Sequence, residues 1–126
     1  MSKHIGGIGV ILKEDINQLR KGILRILVLK LLSEEKKYGY ELLIEMDKKS
    51  NGFFKVKEGT LYPILYKLED GGLVTSKWEF PSDRTKAKKY YYITHTGRQV
   101  LSELIDFWNC LAVNVEEFLC QENDGK

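Results

Sequence analysis

The chain has 126 residues, 43% hydrophobic and 30% charged, with a formal net charge of +2. That length is one domain by the usual size prior. Its two cysteines, Cys110 and Cys120, fall ten apart on one expected helix and point different ways, which excludes a disulfide framework. The small net charge hides an asymmetry: residues 1–98 carry 19 Lys and Arg against 12 Asp and Glu, whereas residues 99–126 carry 1 against 6. A basic body and an acidic end suggest a body that faces a polyanion and a tail that faces elsewhere.

In chain order, residues 1–18 read as an N-terminal arm, because Gly6, Gly7 and Gly9 weaken a helix among Ile5, Ile8, Val10 and Ile11. Leu19 to Ser33 is a helix that is apolar nearly all round and therefore central. Its most apolar run, Gly22 to Leu32, is broken by Arg25 and Lys30 and is too short to span a bilayer, so no membrane partner is expected. Glu34 to Lys37 reads as a turn. A second helix over Gly39 to Lys49 turns Leu42, Leu43 and Met46 inward, and Phe53 to Val56 could pair as a minor strand. The third helix starts near Glu58–Thr60, since Pro63 is tolerated only close to a helix start. Leu61, Ile64, Leu65 and Leu68 form its buried stripe, and Gly71-Gly72 ends it.

Leu73 to Phe80 and Lys88 to Thr94 are rich in β-branched and aromatic residues around the turn chemistry of Pro81-Ser82-Asp83, so they read as a β-hairpin. Thr94 then caps a helix from His95 to Leu119, a rod of roughly 37 Å. On it Gly97, Leu101, Leu104, Trp108, Leu111, Val115 and Phe118 are spaced 4, 3, 4, 3, 4, 3, a heptad seam that signals helix-on-helix pairing. The expected fold is mainly α with a small β-hairpin: a winged helix-turn-helix over 19–94, a dimerisation helix over 95–120 and a flexible tail over 121–126. The seam residues Leu101, Leu104, Trp108, Leu111, Val115 and Phe118 imply a homodimer.

Enzyme chemistry finds no foothold. His4 and His95 have no Cys, Asp or Glu at ligand spacing, and the Gly pairs are not followed by Lys-Ser or Lys-Thr. No catalytic residue, metal or cofactor is therefore expected. The hairpin, by contrast, carries Arg84, Lys86, Lys88 and Lys89 with no acid among them, followed by Tyr90, Tyr91 and Tyr92. Long cations and hydroxyl donors on a protruding element are what phosphate contacts need. On the third helix Thr60, Tyr62 and Lys67 avoid the apolar stripe, with Lys57 leading in. Helix, turn, helix and basic hairpin is the order in which a winged helix reads double-stranded DNA. The alternative is a winged-helix interaction module without DNA binding, which has no need of four cations on its hairpin. Two free thiols and no signal peptide suggest a cytoplasmic location.

The segments LRKGILRILVLKLLS, YGYEL, EGTLYPILYKLEDGGLV and KKYYYIT, over Leu19 to Gly97, resemble the PadR family of bacterial transcriptional regulators. The single short C-terminal helix is similar to the small subgroup, in which that helix forms the dimer interface. The resemblance implies a repressor relieved by an effector, and it puts Tyr38, Thr60, Tyr62, Lys88 and Lys89 on DNA-contacting positions. Some small-subgroup members grip flat aromatic drugs between paired tryptophans. Trp108 falls on that position, flanked by Leu104, Ile105, Leu111 and Ala112. Ala112 stands where those members offer a carboxylate to a cationic drug, so the implied ligand is a neutral planar aromatic effector.

Overall fold

Helix α1 (Gly9–Glu34) begins well before Leu19, its expected start. Val10 to Lys21 contains no glycine or proline, and a helix already nucleated against the core extends at little cost. The computed structural model describes residues 9–81 and 86–120, with side chains from residue 13. The start of the expected arm (1–8), the tail (121–126) and Arg84 lie outside the described residues.

After α1 come β1 (Lys37–Tyr38), α2 (Gly39–Lys49), α3 (Glu58–Asp70), β2 (Val74–Glu79), β3 (Lys88–Ile93) and α4 (His95–Cys120). The three strands form one antiparallel sheet in the order β1-β3-β2, with Lys37 opposite Tyr91 and Trp78 opposite Lys89. The mainly helical winged fold is thus as expected, but its third strand is not. Phe53 to Val56 forms no strand. The Phe54 N–H donates to Ser50 Oγ at 2.7 Å and Gly52 N–H to Asp47 O at 2.9 Å, so this segment closes the end of α2. Asn51 and Gly52 both take left-handed φ there, 53° and 85°. The place beside β3 belongs to Lys37–Tyr38, read from sequence as the end of a turn and the approach to a helix.

Leu24, Val28, Leu29 and Leu32 of α1 meet Leu42 and Met46 of α2, and Leu61, Leu65 and Leu68 of α3, in one buried cluster. Tyr91 and Val74 close it from the sheet, and Leu101 from α4. Lys37 is the buried charge among the described residues, and its ammonium pairs with Glu45 at 3.3 Å and Glu35 at 3.4 Å. Burial alone would lower its pKa; the two carboxylates outweigh that and raise it.

Two helix ends set the geometry of the rest. Gly72, at φ 79°, turns the chain out of α3, and Leu73 N–H returns to Leu68 O at 2.9 Å. Thr94 then ties α4 to that turn: its hydroxyl donates to Gly72 O at 2.7 Å and accepts from Gly97 N–H at 2.9 Å. Gly97 lies so close to the Leu73 carbonyl that a Cβ there would overlap the oxygen and meet Ile93 Cγ1 at 2.8 Å.

The heptad seam therefore divides. Gly97 and Leu101, its first positions, are buried in the chain's own body, with Leu104 and Ile105 packed partly against the same core. Leu101, expected in a seam between chains, is 6% exposed within its own and is not available to a partner. Beyond Ile105 the burial falls away: Phe107, Trp108, Leu111, Val115, Phe118 and Leu119 are exposed, with Trp108 bordering α1.

Candidate nucleic-acid interface

Helix α3 presents three surfaces around its buried stripe. Tyr66, 71% exposed, stands on the outward side with Gly59 and Pro63. Pro63 lies in the second turn, deeper than expected, and has no N–H to offer the Gly59 carbonyl. Thr60 and Lys67 are seven residues apart and so share one flank, which faces Lys21 and Arg25 of α1. Tyr62 is on the other flank, about 200° round from Thr60. The three residues all avoid the apolar stripe, as expected, but do not share one face.

Tyr62 reaches the start of α2. A Cβ at Gly39 would overlap the Tyr62 hydroxyl oxygen and meet its ring at 2.6 Å, so the glycine of the Tyr-Gly-Tyr segment makes room for this ring. Burial of the phenol, helped by the nearby Glu58 charge, raises its pKa and keeps it protonated as a hydrogen-bond donor. On the sheet side of α3, Ser76 donates to Glu69 Oε2 at 2.7 Å, fixing the helix against the hairpin.

Strand alternation separates the wing residues. Lys88, Tyr90 and Tyr92 project to the outer face of the sheet, while Lys89 and Tyr91 project to the inner face. Tyr91 is buried and Lys89 Nζ lies 5.8 Å from its ring centroid. Lys88 and Lys89, adjacent in the basic run, stand on opposite faces of the hairpin. Lys88 Nζ sits 5.1 Å from the Tyr38 ring, which makes an edge contact with Tyr90 at 5.4 Å. The start of α2 and the base of the wing are thereby one surface. Glu41 Oε1 accepts from Tyr38 N–H at 3.1 Å and fixes that helix start.

The same face holds residues that sequence reading missed. Lys36 lies 4.9 Å over the Tyr90 ring, and Lys77 lies 5.1 Å over Tyr92. Glu79 accepts from both the Lys36 ammonium and the Tyr92 hydroxyl. The Lys36 hydrogen bond, then that of Tyr92, lowers the Glu79 pKa, so one anion sits among three cations at neutral pH. The signal was present in the period-2 spacing of Lys36 and Tyr38, but it is readable only once a strand is placed there. Lys57, at the cap position of α3, and Lys86, at the start of the returning wing, are both exposed.

The described part of α4 and the outer half of α1 enclose a separate apolar groove of about 630 Å³. Ile16, Leu19, Ile23, Phe53 and Trp108 line it, with Arg20 as its one charged wall. Of the five expected ligand residues the structure brings only Trp108 to this groove. Leu104 and Ile105 are turned to the body, Leu111 is exposed, and Ala112 is half-buried.

Comparison with known proteins follows the same lines. A family model described as the transcriptional regulator PadR-like family matches residues 28–103. A PadR family transcriptional regulator from Eggerthella lenta superposes with TM-score 0.76 at 32% identity, covering 90% of this chain and 96% of that one. A PadR-like regulator from Bacillus cereus gives 0.71 at 32%, covering 82% and 97%. An uncharacterized protein from Lysinibacillus sphaericus is 38% identical over 88 residues, 70% of this chain and 80% of that protein. No helix among the described residues is long and apolar enough to cross a membrane.

Proposed function

The chain belongs to the PadR-like family, whose members are transcriptional regulators and not enzymes, and we propose that it is a homodimeric, sequence-specific DNA-binding repressor. The observation that carries the reading is the convergence of the α2 start, the α3 flank at Tyr62 and the wing. Tyr38, Tyr62 and Lys88 come from three elements yet border one basic, hydroxyl-bearing surface. Cations there displace condensed counterions from phosphates, and the hydroxyls fix register. Lys57, at the start of α3, and Thr60 and Lys67, on its opposite flank, belong to the same proposed interface, as do Lys86 and Lys89 on the wing; Arg84 belongs to the same basic run in sequence. A cytoplasmic location accords with DNA binding.

Mobility shift on the DNA upstream of the chain's own coding region tests the reading. Binding should weaken steeply with salt. Lys88→Gln should lower affinity on every duplex and flatten the salt slope by about 1.8, one phosphate contact in each protomer. Unchanged affinity and slope would take Lys88 out of the interface. A folded dimer with no shift on any duplex at low salt would favour the protein-interaction module.

Dimerisation is proposed through the bare stretch of α4, Trp108 to Phe118, with the apolar groove on α1 as its continuation. The same groove supplies the effector reading. A neutral planar aromatic molecule against Trp108, 42% exposed, would favour one spacing of the recognition helices over another, and only such differential affinity shifts DNA binding. In a Trp78→Phe background, which removes the second emitter, flat aromatic compounds should quench Trp108 and weaken operator binding together. Quenching that leaves operator affinity unchanged, or no quenching at all, makes Trp108 a packing residue.

A further inference from the structure

We propose that the groove between α1 and the start of α3 is a second phosphate clamp, gripping the DNA strand on the side of α3 away from the wing. The proposal rests on the DNA-binding reading above and adds residues that reading does not use. Two adjoining recesses of about 440 and 370 Å³ share Lys21 and Thr60 and form one channel. Arg20, Lys21 and Arg25 stand on its α1 wall, with Lys55, Lys57 and Lys67 facing them. No carboxylate lines either recess. Among the described residues the ion pairs involve Lys36, Lys37 and Lys49, so all six cations are without an acidic partner. Six like charges drawn from three segments and turned toward one channel repel one another until a polyanion fills it.

The geometry of a helix in DNA says which polyanion. An α-helix with its side chains is about 10–12 Å across, and the major groove is about 12 Å wide. A helix that fills the groove stands between two phosphate ridges, one on each flank. On α3 the Tyr62 flank adjoins the wing and the start of α2, which serve one ridge. The Thr60–Lys67 flank opens into the basic channel, which serves the other. The basic lining runs from Lys55 to Lys67 alongside α3, as a backbone strand requires, and is longer than the compact nest of donors that holds a free phosphate. Arg20 and Arg25 add the bidentate geometry that phosphate oxygens accept.

The test uses the full chain and a duplex selected by the wild type from random sequence, with an unselected duplex beside it. Lys21→Gln with Arg25→Gln should lower affinity by the same factor on both duplexes and reduce the salt slope by about 3.6, two phosphate contacts in each protomer. The loss should add to that of Lys88→Gln, because the two clamps hold different strands. Phosphate-ethylation interference should lose its signal on one strand of each half-site in the double variant and on the opposite strand of each half-site in Lys88→Gln. Arg20→Gln with Lys55→Gln repeats the measurement from the far end of the channel, so a folding defect in either pair does not decide the matter. If both pairs keep the wild-type slope and affinity while Lys88→Gln loses them, the clamp is overturned and the DNA reading stands. If the folded wild type binds neither duplex, the DNA reading itself fails and takes the clamp with it.

Discussion

Leu111→Glu with Val115→Glu is expected to turn the dimer into monomers and to lower operator affinity by about a thousandfold. Both residues are exposed within the single chain, 41% and 44%, and neither belongs to the core or packs against it, so the carboxylates leave the core of the body intact. In a helix pair they would be buried opposite their own copies, where uncompensated charge costs several kcal/mol. The affinity loss follows from linkage: two half-site contacts joined in one molecule exceed a single one by about 10²–10⁴-fold. Sedimentation reads the first effect and duplex titration the second. A variant that sediments as a wild-type dimer would place the interface elsewhere. Leu101 and Leu104 are poor sites for this test despite their seam spacing, since Leu101 is in the core of its own chain and Leu104 packs against it.

Gly97→Ala should destabilise the chain by about 2–3 kcal/mol, a fall of roughly 10 °C in Tm at fixed protein concentration. Helix propensity alone argues the opposite sign, a gain of up to about 1 kcal/mol for alanine over glycine within a helix. The structure decides between them. An added methyl would overlap the Leu73 carbonyl oxygen, a backbone atom held by the turn after α3, and would press on Ile93 Cγ1 at 2.8 Å. Relief requires α4 to lift from the hairpin, which breaks the Thr94 hydrogen bonds to Gly72 and Gly97. Thermal unfolding of the single variant separates the two arguments: a rise in Tm would mean that the contact is loose.

The helices were legible because their signals are local. The stripe at Leu61, Leu65 and Leu68, the glycine stop at Gly71-Gly72 and the Thr94 cap each declare themselves within one or two turns. The hairpin was legible for the same reason, with β-branched and aromatic runs on both sides of a proline turn. What escaped depended on distant partners. Lys37–Tyr38 is a strand only because Tyr90 and Tyr91 lie beside it, and two residues carry no periodicity of their own. The heptad spacing from Gly97 to Phe118 is continuous in sequence, yet its first turns are buried in the body and the later positions are exposed. The candidate site was half visible in the same way. Its residue types were plain, but Lys88 and Lys89 had to be parted by strand alternation, and Thr60 and Tyr62 by helix rotation, before their neighbours could be named.

Hydroxyl-radical footprinting of the wild-type chain on its selected duplex tests the central claim most directly. A dimer that places two α3 helices in successive major grooves should protect two patches related by a two-fold axis, with centres about 34 Å apart, one turn of the double helix. A footprint with a single unsymmetrical patch, or none from a folded dimer at low salt, would contradict the account.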